Sequence, residues 1–131
     1  MSASSSRIRV RYAETDQMGV AYHGNYFAWF EVGRTDLLRA QGVTYRELET
    51  RDVRLPVIET GARFLKPVLY DDLIEVRVRV TELTGARVTF AYELHRDGTE
   101  GPVATAFTAH AAVNAQGRPR RLPPDVRALL G

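Results

Sequence analysis

The chain has 131 residues, 44% of them hydrophobic, and a formal net charge of +2, which suits one compact domain with a sizeable core. It contains no cysteine, so disulfide frameworks, thiolate metal sites and cysteine nucleophiles are excluded. No run of about 18 apolar residues occurs, and the opening MSASSS lacks the apolar segment of a signal peptide, so a soluble cytoplasmic protein with no membrane partner is expected.

Lys66 is the only lysine among 18 basic side chains, and the arginines are scattered rather than gathered in a stripe. One basic cluster, GRPRR from Gly117 to Arg121, lies beside a Pro-Pro step without aromatics for base stacking. It reads as a solvated tail, and no nucleic-acid partner is expected.

In chain order, residues 1–6 are expected to form a disordered tail. Arg7 to Tyr12 then alternates basic residues with Ile8, Val10 and Tyr12, the period of a half-buried strand. From Asn25 to about Gln41 the spacing changes to three and four, with Tyr26, Phe30, Gly33, Leu37 and Ala40 on one face of a helix ending at Gly42. A glycine inside a helix costs about 1 kcal/mol relative to alanine, so Gly33 predicts close approach to a flat surface such as a sheet. Thr44 and Glu47 form a capping-box pattern before a short connecting helix, Tyr45 to about Arg51.

Leu55 to Pro67 is extended, with a bend or bulge expected at Gly61. Ile74, Val76, Val78 and Val80, then Val88, Phe90, Tyr92 and Leu94, alternate strictly around a Thr84-Gly85 turn and predict an antiparallel hairpin ending at Asp97-Gly98. Val103 to about Asn114 is a weaker, two-sided pattern, expected in a central strand. The fold class is therefore α+β: a strand, a long helix and four further antiparallel strands in one domain spanning 1–131, with tails at 1–6 and about 117–131. A sheet with one face bare predicts association with a second copy.

Chemistry is expected between Tyr12 and Arg34. A polar loop carrying Asp16 and Gly19 delivers His23 and Asn25 to a helix start, whose free N–H groups favour developing negative charge. Tyr22 and Tyr26 lie close enough to wall a pocket, whereas Phe27, Trp29 and Phe30 read as core and Glu31 as a satisfied polar contact. His95 and His110 fall on predicted strands as ordinary sheet residues, and no metal site is expected.

The segment TDQMGVAYHGNYFAWFEVGR, with the later RFLKPVLYDDLIEV, resembles the hotdog-fold acyl-CoA thioesterases of the 4-hydroxybenzoyl-CoA thioesterase type. The resemblance implies a curved antiparallel sheet of about five strands wrapped around one long helix. It further implies dimers joined sheet edge to sheet edge, with active sites at the interface, and a homodimer or homotetramer. It places the catalytic carboxylate at Asp16 and gives the backbone amide of His23 the task of polarising the thioester carbonyl. Some members carry tyrosine and proline where this chain has His23 and Gly24, so the histidine side chain is not required by that chemistry.

Asn25 fits the pattern as a positioning residue, and Tyr22 and Tyr26 as substrate contacts. Arg63 and Lys66, in the RFLKPV segment, are candidate contacts for the CoA phosphates. The activity so implied is hydrolysis of an acyl-CoA to free acid and CoA with no cofactor, Asp16 acting as nucleophile or general base. The alternatives are a hotdog-fold hydratase or dehydratase, and a non-catalytic binder of acyl-CoA or acyl carrier protein.

Overall fold

The computed structural model describes residues 1–131. The elements are β1 (Ala3–Arg9), α1 (Asn25–Ala40), α2 (Tyr45–Thr50), β2 (Val57–Phe64), β3 (Leu73–Leu83), β4 (Arg87–Arg96), β5 (Ala104–Ala111) and α3 (Pro124–Leu130). One antiparallel sheet in the order β1-β3-β4-β5-β2 curves around α1. β2 is an edge strand bonded only to β5, and β5 lies second from that edge rather than at the centre, which β4 occupies.

Helix α1 forms where the three-four spacing of apolar residues predicted it. It closes at Gly42, whose φ of 99° is readily adopted only by glycine. Its buried face comprises Tyr26, Trp29, Phe30, Gly33, Leu37 and Leu38, while Ala40 is exposed. The helix lies across β1 and β3. A Cβ on Gly33 would sit 2.6 Å from Val78 Cγ2 and 2.8 Å from Val76 Cγ1, so the absent side chain is what lets the helix backbone rest on β3. The predicted cap of α2 is present, with Glu47 N donating to Thr44 Oγ1 at 3.1 Å.

The β3–β4 hairpin follows its alternation: Ile74, Val76, Val78 and Val80 pack inward beside Val88, Phe90, Tyr92 and Leu94. Phe30 stacks on Tyr92 at 4.7 Å between ring centroids, joining helix to sheet. β2 is irregular at Val57/Glu59 rather than at Gly61, which pairs in regular register with Phe107. A Cβ on Gly61 would meet Phe107 Cε1 at 2.9 Å, so this glycine serves close packing and not a bend.

Both expected tails are corrected. Residues 3–9 form β1, paired with β3 from Ala3↔Arg79 to Arg9↔Leu73, because backbone pairing along an eleven-residue neighbour carries a serine run that side-chain pattern does not reveal. The strand therefore ends before Tyr12, where a 3-10 turn (Tyr12–Glu14) begins. At the other end, Val126 and Leu130 of α3, with Leu122 just before it, join the hydrophobic core. Ser2 fastens the two ends together, its hydroxyl donating to the Leu130 carbonyl at 3.0 Å.

Candidate active site

Between β1 and α1 the chain folds back on itself as a closed loop. Thr15 bridges Ala21, Asp16 N donates to Val20 O at 2.9 Å, and Gly19, with φ of 79°, donates back to Asp16 O at 3.0 Å. Asp16 is half-buried at the tip of the first limb. Its Oδ1 accepts Met18 N at 2.9 Å, leaving Oδ2 without a partner, and it forms no ion pair. The carboxylate is thus oriented through one oxygen and available through the other.

The second limb ends at His23 and Gly24, directly before α1. Gly24 is the N-cap and provides no side-chain acceptor for the first helical N–H groups. Neither the His23 nor the Gly24 N–H has an acceptor in the chain. These unsatisfied donors, at the positive end of a 16-residue helix, are suited to an oxygen that acquires negative charge. The His23 imidazole is exposed and packs edge-on to Phe64 at 6.1 Å, with the Tyr22 ring 4.5 Å away.

A shallow groove of about 210 Å³ opens here, lined by Val20, Ala21, His23, Tyr26, Phe64, Leu65, Lys66 and Pro67. The Tyr26 hydroxyl makes no hydrogen bond to the rest of the chain. Burial pushes its pKa up, against an opposing pull from Arg96, so it stays a neutral donor. Lys66 Nζ donates to Glu100 O at 2.9 Å, which leaves two of its three N–H groups free.

Asn25 faces inward instead, donating from Nδ2 to Glu14 O at 2.8 Å and so supporting the loop from beneath. Tyr22 covers Gly24, where a Cβ would lie 2.8 Å from its ring, so a side chain there would push the exposed Tyr22 ring aside. Arg63 is not brought to the groove. Paired with Thr105, it alternates onto the sheet face opposite Phe64.

Two features escaped the sequence. Glu14 is buried, its Oε2 accepting Trp29 Nε1 and its Oε1 the Arg11 N–H, each at 2.8 Å. His110 lies under α1 and α2 in a cavity of about 400 Å³ that Glu31 and Arg34 also line. Its Nδ1 contacts Leu55 O and its Nε2 the Thr108 hydroxyl, both at 2.8 Å, and Thr108 meets the Tyr92 hydroxyl at 2.6 Å. The carbonyl can only accept, so Nδ1 carries the proton and Thr108 donates to Nε2. Burial holds this imidazole neutral, its pKa lowered to about 4. Glu31 is exposed and its carboxylate makes no hydrogen bond or ion pair, so the polar contact expected of it is not formed.

The sequence profile of the thioesterase-like superfamily matches residues 10–130. The chain belongs to that superfamily. Among its relatives is the putative acyl-CoA thioesterase YneP of Bacillus subtilis (strain 168), 34% identical over 116 residues, covering 88% of this chain and 83% of that protein. A hypothetical protein of Thermus thermophilus, TT1821, superimposes with a TM-score of 0.91 at 39% identity, covering 97% and 96% of the two chains. The DHNA-CoA thioesterase of Staphylococcus aureus does so with a TM-score of 0.93 at 32% identity, covering 98% of this chain and 89% of the other. The helix wrapped by a five-stranded curved sheet is the hotdog fold of these thioesterases, and the Asp16 loop lies within the matched region. No helix is long and apolar enough to cross a membrane.

Proposed function

We propose that the protein hydrolyses an acyl-CoA thioester to the free acid and CoA in the cytoplasm, with Asp16 as nucleophile or general base. The observation that carries this is the pair of acceptor-free N–H groups at His23 and Gly24, on the same closed loop as a carboxylate with one free oxygen. The thioester oxygen accepts from the His23 amide, and the carbonyl carbon is attacked either by Asp16 Oδ2 or by a water that Asp16 deprotonates. In the first route a mixed anhydride forms, the C–S bond breaks, and water then releases the acid. In the second, the water oxygen is delivered directly. In both, the CoA thiolate leaves and takes up a proton, and no metal or organic cofactor is required.

The groove of about 210 Å³ is smaller than the roughly 300–1,000 Å³ typical of small-ligand pockets. Its Phe64 and Leu65 wall lies on and just beyond the unpaired β2 edge, where Val57 and Ile58 are also exposed. We infer a homodimer joined along β2 that completes the groove, and pairing of two such dimers through the sheet faces that α1 leaves bare. Tyr26 and Lys66 are the contacts assigned to substrate, the lysine to a CoA phosphate, with Tyr22 shaping the loop against Gly24.

Thiol release measured across short, long, branched and aromatic acyl-CoAs tests the activity. Thiol release with at least one acyl group is expected. An intact thioester across the whole panel would overturn the assignment in favour of a binder, and a hydrated acyl chain in favour of a hydratase.

A further inference from the structure

Glu14, two residues before Asp16, is only 7% exposed, and it touches four separate parts of the site. Its Oε1 accepts the Arg11 N–H at the exit of β1, and its Oε2 accepts Trp29 Nε1 in the second turn of α1. Its main-chain carbonyl accepts Tyr22 N at 2.9 Å, on the returning limb of the loop, and Asn25 Nδ2 at 2.8 Å, at the first residue of α1. Both carboxylate oxygens are engaged and buried, so Glu14 has none to present to a substrate. What it determines is geometry: Asp16 lies two residues along the chain on one side, and His23 follows Tyr22 on the other.

We propose that Glu14 is a positioning residue of the reaction, which through Trp29 and Asn25 locks the Asp16 limb and the His23 amide into one frame on α1. The proposal rests on the hydrolytic role of Asp16. A carboxylate is needed because two N–H donors converge on it. A glutamine offers one acceptor oxygen and one NH₂, so either Trp29 or Arg11 would face a donor. Misplacing a reacting group by about 1 Å can cost on the order of a hundredfold in rate, so loosening this frame acts on turnover before it acts on substrate binding.

The test compares Glu14→Gln and Trp29→Phe, singly and together, in the full-length protein at a temperature where circular dichroism shows each variant folded. The expected result is a fall in kcat of about tenfold to a hundredfold with KM within a few-fold. The double variant should be slower by less than the product of the two single losses, since both loosen the one frame that Glu14 holds. Trp29 is the only tryptophan, so its single indole N–H resonance reports the contact directly. Protection from hydrogen exchange is expected to fall at this indole N–H or at the Arg11 amide, whichever faces the new NH₂ in Glu14→Gln, while the core amides stay protected.

Wild-type kcat in Glu14→Gln, or a double-variant loss equal to the product of the two single losses, would overturn the positioning role. Asp16→Asn measured alongside separates the two ideas. An inactive Asp16→Asn beside a fully active Glu14→Gln refutes Glu14 alone, whereas an active Asp16→Asn removes the hydrolytic role on which the proposal depends.

Discussion

Replacing Gly33 with alanine sets two known effects against each other. In an open helix the change is favourable by about 1 kcal/mol, because glycine carries the larger backbone entropy into the unfolded state. Here the new Cβ would stand 2.6 Å from Val78 Cγ2 and 2.8 Å from Val76 Cγ1, where carbon atoms prefer about 3.5–4.0 Å. Neither valine can yield easily: both are buried, and β3 is held between β1 and β4. Overpacking of this kind costs about 1–3 kcal/mol, so the clash should exceed the gain and leave the protein about 1 kcal/mol less stable. Urea denaturation of Gly33→Ala is the assay, with Ala28→Gly on the exposed face of α1 as the propensity reference. A Gly33→Ala protein as stable as wild type, or more so, would refute the close approach of helix and sheet.

Two further outcomes follow from the buried histidine and the open sheet edge. His110 stays neutral in the native state down to about pH 4, while an unfolded histidine takes up its proton near pH 6.5, so between those values the unfolded state binds more protons and stability rises with pH. At about 1.4 kcal/mol per pH unit, acidification through this window should remove about 3 kcal/mol. His110→Asn should show a correspondingly shallower loss in denaturant titrations at pH 7.5 and 4.5, and identical pH slopes would contradict it. For the edge, Ile58→Lys should turn the assembly into monomers by light scattering and lower thiol release in parallel. Full activity in a monomeric variant would show that one chain suffices.

How much of this was legible depended on where each signal resided. Helix α1 and the β3–β4 hairpin announce themselves by strict side-chain periods, and the Gly33 contact followed from the oddity of a glycine in a helix. β1 did so only from Arg7 onward: Ser4, Ser5 and Ser6 also alternate between faces, Ser6 donating to Asp36 of α1, but a run of serines carries no apolar period to show it. α3 was hidden by its seven-residue length and the Pro-Pro step before it. In the site, Asp16, His23 and Asn25 come from one contiguous motif. The only trace of Glu14's role in the sequence was a tryptophan on the buried face of α1 whose N–H needs an acceptor. The displacement of Arg63 from the groove was in principle readable, since Phe64 cannot face inward without turning its neighbour outward.

The role of Asp16 is most directly tested by Asp16→Asn. Asparagine retains an Oδ1 that can accept the Met18 N–H, so the loop keeps its turn while the free oxygen is replaced by an uncharged, non-nucleophilic NH₂. Thiol release from the best acyl-CoA should fall by on the order of 10²–10⁴-fold or more, with the fold and the KM little changed. Turnover within a few-fold of wild type in a folded Asp16→Asn protein would contradict the assignment of the chemistry to this carboxylate.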